Sequence, residues 1–287
     1  MKAYSIQPAA GMIISDLDGT LLRCDQTVSA SDLEALGAFG CQGIIRVLAT
    51  GRSLYSLRKV IADDFPVDFV IFSTGAGVLD CHTREVIYAR QLAPEEVHTT
   101  TRYLQSAGLD FMLHAPLPDN HYFWYYRNGR DNPDMERRLA LYAEFARPLP
   151  ENLATALAAS QFVCILADGD SVVDMLRKTF PRLTVVRTSS PLDHRSVWIE
   201  LLPDGVSKGH TARWLCERLG VPAAATIALG NDYNDLSLLE FAGRSYVVAD
   251  APFLLRERFQ VLQPIEGGIL TGLCGALIEK MAGGNSR

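Results

Sequence analysis

The chain has 287 residues, and 27 Lys and Arg set against 33 Asp and Glu leave a net charge of −6. That balance excludes the basic footprint a nucleic-acid backbone demands, while leaving room for a small anion held in a locally positive pocket. Hydrophobic residues at 48% and charged residues at 21% describe an ordinary globular chain, long enough for one large domain and a smaller one. No apolar run nears the roughly 20 residues that span a bilayer, and residues 1–8 lack the apolar stretch of a secretory signal. Six scattered cysteines without a C-x-x-C pair read as reduced packing thiols, which places the chain in the cytoplasm. No two cysteines or histidines stand at zinc-ligand spacing.

Taken in order, the first section alternates strand and helix. Residues 12–15 predict a strand, 29–39 a helix, 44–49 a strand, 53–62 a helix and 69–73 a third strand. These strands are near-continuous apolar runs, as parallel strands covered on both faces should be. From about residue 83 to 203 the rhythm changes. Helices over 95–107, 135–145 and 171–179 mix with strands over 110–114, 122–127, 162–166, 183–187 and 197–201, an α+β insertion. Pro203-Asp204-Gly205 supplies turn formers for the return. Alternation then resumes: helix 208–219, strand 226–229, helix 236–242, strand 245–248, helix 253–259 and helix 272–281 before a frayed tail. The expected fold is α/β, a Rossmann-like parallel-sheet core over 1–82 and 204–287 with an α+β domain at 83–203.

Four polar motifs fall where core strands end. They are Asp16-Leu-Asp18-Gly-Thr20, Thr50-Gly51-Arg52, Ser207-Lys208-Gly209 and Gly230-Asn231-Asp232-Tyr233-Asn234-Asp235. In open α/β sheets ligands bind at the carboxyl ends of strands, so these loops can converge. Two carboxylates at a strand tip are costly unless a metal, a proton or substrate chemistry uses them. One can attack phosphorus and the other can move the proton. A threonine hydroxyl and a lysine can hold phosphoryl oxygens, and an oxygen-rich loop can hold Mg2+.

The ordered set D-x-D-G-T, T-G-R, lysine and G-N-D-x-N-D resembles the haloacid dehalogenase (HAD) superfamily of phosphohydrolases. The insertion resembles the type II cap of its Cof-like sugar phosphatases. Val206-Ser207-Lys208-Gly209, Gly75-Ala76 and Glu266-Gly267-Gly268-Ile269 add to the likeness. The resemblance implies that Asp16 is the nucleophile and Asp18 the general acid/base, both on the metal. It implies that Thr50, Gly51, Lys208 and Asn234 bind phosphate, and that Asn231, Asp232 and Asp235 join Asp16 and Asp18 around Mg2+. Two departures stand out. Asn231 replaces the usual aspartate, leaving open whether it or Asp232 faces the metal, and Thr74 replaces the usual asparagine before Gly75.

Outside these motifs, Arg52, Thr74, His121 and Trp124 are substrate candidates. The last two lie in the aromatic run His121-Tyr-Phe-Trp124-Tyr-Tyr-Arg127, which reads equally as a packed strand. His114, His194 and Arg195 are weaker candidates. The expected function is a Mg2+-dependent phosphatase acting on a small phosphorylated metabolite, with a sugar phosphate implied by the cap resemblance. A phosphosugar mutase and a catalytically weak phosphometabolite-binding protein are the alternatives. No nucleic-acid or membrane partner is expected, and the sequence leaves the oligomeric state open.

Overall fold

The computed structural model describes residues 11–23, 25–150, 157–167, 169–193 and 195–274. In chain order the elements begin β1 (Gly11–Asp16), α1 (Ala30–Cys41), β2 (Ile44–Ala49), α2 (Leu54–Leu57), β3 (Phe69–Phe72), β4 (Gly77–Asp80) and β5 (Glu85–Ala89). They continue with α3 (Pro94–Ser106), β6 (Phe111–His114), β7 (Phe123–Tyr126), α4 (Pro133–Leu141), β8 (Ala146–Pro148) and β9 (Gln161–Leu166). Next come α5 (Asp170–Thr179), β10 (Leu183–Ser189), β11 (Val197–Pro203), α6 (Lys208–Leu219) and β12 (Thr226–Gly230). The last are α7 (Leu236–Phe241), β13 (Arg244–Val248), α8 (Phe253–Arg258) and β14 (Gln260–Leu262).

The strands form two sheets. The first has the order β14-β13-β12-β1-β2-β3-β4-β5 and is parallel from β14 to β3. Alternate β1 residues serve its two faces. Ile13 packs with Leu36 and Phe39 of α1, while Met12 and Ile14 pack with Leu215 of α6 and Leu239 of α7. Such double burial selects the continuous apolar runs seen in the sequence. Register aligns Ser15 with both Leu48 and Leu229, so the loops after β1, β2 and β12 leave the sheet side by side.

The second sheet, β10-β11-β9-β6-β7-β8, is antiparallel except for the β7–β8 pair. One face, with Phe111, Leu113, Phe162, Ile199 and Leu201, packs on Leu104 of α3 and Leu176 of α5. The other carries Met112, Val163, Ile165 and Trp198 against Met135 of α4.

Several expectations need correction. The helix expected over 53–62 is a single turn, because the N–H groups of Val60 and Ile61 both close on the Leu57 carbonyl. The helix expected to 145 stops at Leu141, and the Phe145 carbonyl instead accepts the Phe123 N–H. Strands β4, β5, β8 and β14 had no sequence assignment, being short or only half-buried. The division placed after residue 82 falls in the β4–β5 turn. Strand β5 pairs with β4 in the first sheet, so the chain crosses over after Ala89. The terminal helix expected over 272–281 lies largely outside the described residues, as do Cys24 and His194.

Candidate active site

Asp16 ends β1 and is 3% exposed. The fully buried Lys208 amine donates to Asp16 Oδ1 at 2.7 Å and to Asp235 Oδ1 at 2.7 Å. Lys208 opens α6 behind Ser207, whose hydroxyl caps the helix by accepting the His210 N–H at 3.2 Å. Gly75 permits this docking. Its φ is +103°, and a Cβ there would collide with the Ser207 carbonyl.

Burial, reinforced by the Asp235 charge, raises the Asp16 carboxyl to about 8, against the opposing pull of Lys208. Burial would lower the lysine, but two carboxylates outweigh it and hold the amine above its ordinary value. One cation between two buried carboxylates cannot offset both charges, so Asp16 favours its proton, which a second cation at the site would displace.

Asp18 sits beyond the tip of β1, and Arg52 grips its carboxylate through Nε at 2.9 Å and Nη2 at 2.6 Å. Thr50 is buried, and its hydroxyl accepts the Arg52 N–H at 3.1 Å. Gly51 brings bare backbone beside Thr74, where an added Cβ would meet the Thr74 hydroxyl at 3.4 Å. Thr74 itself is buried at φ 54°, a region costly for a β-branched residue. Bonds from Thr74 N–H to the Thr50 carbonyl (3.0 Å) and from Ser73 N–H to the Arg52 carbonyl (2.9 Å) hold it there.

The loop after β12 divides its polar groups. Asp235 Oδ2 accepts the N–H groups of Asn231 at 2.9 Å and Asp232 at 3.2 Å. The Asn231 amide lies against Gly19, in the turn that carries Asp18. Asn234 Oδ1 and Asp16 Oδ2 are buried without hydrogen-bond partners. Asp232 does not face this cluster. Its oxygens accept from the Ser189 N–H (2.8 Å), the Thr188 hydroxyl (3.2 Å) and the Tyr233 N–H (2.8 Å), which corrects its assignment as a metal ligand.

The residues at the site fit a hard divalent cation. The orphaned Asp16 oxygen, the Asp235 carboxylate and the side-chain carbonyls of Asn231 and Asn234 are oxygen donors with no thiolate or imidazole among them. Among the described residues no three His, Cys, Asp or Glu side chains form a closed cage. An ion that keeps waters and takes phosphate oxygens suits such an open set.

Above Gly51 and Arg52 lies a cavity of about 60 Å3 lined also by His114, Asn120, Arg138, Gln161, Trp198 and Glu200. Three substrate candidates are absent from it, and of these only Thr74, beside Gly51, lies next to its lining. Trp124 packs on the opposite face of the second sheet, beside Phe111 and Phe162. His121 stacks on Tyr55 with ring centroids 4.6 Å apart and borders a separate outer groove with Arg58 and Lys59. Arg195 serves a turn, its N–H donating to Asp193 at 2.9 Å. Sequence reading passed over Glu200, Gln161, Arg138 and Asn120. One trace was available, because Glu200 interrupts the apolar run Val197-Trp-Ile-Glu-Leu-Leu202 of a fully buried strand.

A parallel sheet whose carboxyl edge gathers a buried lysine, an orphaned carboxylate and a Thr-Gly turn is the layout of a phosphoryl-handling α/β hydrolase. The model for haloacid dehalogenase-like hydrolases matches residues 13–261, and the chain belongs to that family. It is 27% identical over 284 residues to YxeH of Bacillus subtilis (strain 168), provisionally named a phosphatase, covering 94% of this chain and 99% of that protein. It is 26% identical over 250 residues to the HMP-PP phosphatase of Cronobacter sakazakii (strain ATCC BAA-894), covering 84% and 85% of the two chains. The solved structure of BT4131, described as a HAD subclass IIB sugar phosphatase, shares the fold with a TM-score of 0.73 at 20% identity, over 93% of this chain and 99% of that one. Family membership and phosphatase relatives spanning most of the chain make it a phosphatase enzyme. Phosphotransferases of this superfamily generally use a divalent metal. Among the described residues no helix is long and apolar enough to cross a membrane.

Proposed function

We propose that the chain hydrolyses a small phosphorylated metabolite, a sugar phosphate, with Mg2+ and through an aspartyl-phosphate on Asp16. The observation that carries this reading is the buried Asp16–Lys208 contact of 2.7 Å at the tip of β1. The free Asp16 oxygen attacks phosphorus, and the bond from phosphorus to the leaving oxygen breaks. Asp18, protonated on the bound substrate, gives its proton to the departing alkoxide. Its carboxylate then takes a proton from water as the water oxygen attacks phosphorus, releasing phosphate and restoring Asp16.

Lys208 holds the nucleophile in place and offsets its charge, while Thr50 and the Gly51 backbone accommodate phosphoryl oxygens. Asp16, Asn231, Asn234 and Asp235 are the residues that would hold Mg2+, with the Asp18 main chain contributing by family resemblance. The ion would screen the repulsion between carboxylate and phosphate. The second sheet, whose residues line the small cavity, favours small substrates. Sugar phosphate as the class draws on the likeness to BT4131 and on the polar lining of the cavity. A cytoplasmic setting is supported by the five described cysteines, all free thiols.

The test is phosphate release from sugar phosphates and phenyl phosphate, with and without Mg2+, beside Asp16→Asn. Mg2+-dependent release that vanishes in the variant supports the reading. Release that survives Asp16→Asn removes the aspartyl intermediate.

A further inference from the structure

Three residues in the cavity lie on one face of the second sheet because strand side chains alternate. His114 ends β6, Gln161 opens β9 directly opposite it, and Glu200 of β11 pairs with Val163 of β9. Each is 5% exposed or less. Each also holds a buried polar atom without a partner: His114 Nε2, Gln161 Oε1 and Glu200 Oε2. Such atoms are rare in folded proteins and costly, so several around one cavity indicate a ligand's hydrogen bonds.

Their chemistry is readable. His114 Nδ1 lies 2.7 Å from the Asn120 carbonyl, which can only accept, so Nδ1 carries the hydrogen. The other ring nitrogen, Nε2, is then a bare acceptor in the neutral ring. Burial and the nearby Arg138 charge push the imidazole down to about 3, keeping it neutral. Asn120 is itself fixed, its amide donating to Ser73 Oγ at 2.8 Å. Glu200 is a second acceptor, while the Gln161 amide can serve either way.

Arg138 supplies the donor. Its guanidinium lies over the Tyr142 ring at 3.7 Å, and its Nε is buried and unpartnered. Among the described residues no carboxylate stands within ion-pair distance of it. A leaving group bearing a single charge of either sign would pair with one of Arg138 and Glu200 and face repulsion from the other, since both line the cavity. Neutral hydroxyls, which donate and accept, satisfy both sides. The volume of about 60 Å3 holds roughly four waters, or a short carbon chain with its hydroxyls.

We propose that His114, Gln161, Glu200 and Arg138 determine specificity by reading neutral hydroxyl groups on the leaving group. This rests on the phosphatase reading above and adds to it which residues choose the substrate.

The test compares kcat/KM for glycerol 3-phosphate against propyl phosphate, and for erythritol 4-phosphate against butyl phosphate, with O-phosphoethanolamine and phenyl phosphate alongside. The wild type should prefer each hydroxylated ester at least tenfold, and should disfavour O-phosphoethanolamine relative to glycerol 3-phosphate. Glu200→Gln and His114→Gln should each shrink the hydroxylated-to-alkyl ratio at least fivefold. The proposal is overturned by a wild-type ratio near one, by ratios unchanged in both folded variants, or by preference for O-phosphoethanolamine. The wild-type ratios decide the matter even if a variant does not fold. Hydrolysis of phenyl phosphate without hydroxyl preference removes this proposal alone, whereas no hydrolysis of any ester removes the phosphatase reading as well.

Discussion

The carboxylate of Asp232, in the loop after β12, accepts the backbone N–H of Ser189 in β10 at 2.8 Å. The loop that serves the first sheet's site is thereby hydrogen-bonded to the second sheet. Three residues on, Asp235 turns inward to Lys208 instead. Two carboxylates in one short loop therefore have separate duties. Asp235→Ala should lower kcat at least a hundredfold and raise the Mg2+ concentration needed for activity. Asp232→Ala should leave the Mg2+ requirement within about twofold, raise KM several-fold, and speed hydrogen exchange at Ser189. A larger Mg2+ effect from Asp232→Ala than from Asp235→Ala would return Asp232 to the metal.

Removing the lysine tests the charge balance. Lys208→Met leaves Asp16 and Asp235 buried without their shared cation, a loss of about 3–5 kcal/mol for a broken buried pair. Urea denaturation without metal should show that loss. Mg2+ should recover part of it, since a ligand that binds only the folded state stabilises it. Equal stability of wild type and variant without metal would contradict the arrangement.

Two buried groups give stability opposite pH dependences. Burial pushes Glu200 from 4.5 up to about 6, against the pull of Thr74 and Lys208. The folded state therefore binds the proton first, and raising pH through 4.5 to 6 costs about 2 kcal/mol, at roughly 1.4 kcal/mol per unit. His114, held down to about 3, does the reverse. The unfolded state protonates first, so stability falls by about 1.4 kcal/mol per unit as pH drops below 6.5. Relative to wild type, Glu200→Gln should gain stability as pH rises from 4.5 to 6, and His114→Gln as pH falls from 6.5. Urea titrations at pH 4.5, 5.5, 6.5 and 7.5 would show both trends, and parallel curves would contradict them.

Glycine substitutions separate strain from collision. Gly205 has φ +70° but open space around it, so Gly205→Ala should cost only about 1 kcal/mol of backbone strain. Gly75→Ala adds the collision with the Ser207 carbonyl and should cost at least about 2 kcal/mol more, in the range of core overpacking. It should also lower kcat, because the displaced turn carries Lys208. Thermal melts and steady-state kinetics on the pair distinguish the two effects.

The parallel centre of the first sheet, β13-β12-β1-β2-β3, was legible because its information is local, whereas its short outer strands β4, β5 and β14 were not. Met12-Ile-Ile14 reads as a doubly covered strand, and the Ser207-Lys208 cap places its lysine at a helix start without any tertiary knowledge. The cavity was not legible, because its face is made by pairing β6 with β9 and β9 with β11 across some ninety residues. Trp124 shows the limit. In a strand of four aromatics, Phe123 and Tyr125 face α4 while Trp124 and Tyr126 face the other way, and composition does not fix that parity. Asp232 and Asn231 pose the same difficulty in a loop, where backbone direction decides which side chain turns inward.

The alternation along β6, β9 and β11 has an evolutionary consequence. Leu113, Phe162, Ile199 and Leu201 hold the second sheet to its helices, while His114, Gln161 and Glu200 line the cavity from the reverse side. His114, Gln161 and Glu200 can therefore change while the side chains next to them in each strand keep the architecture. New substrate preferences can thus arise by point mutations at His114, Gln161 and Glu200, each judged separately from the chemistry it serves.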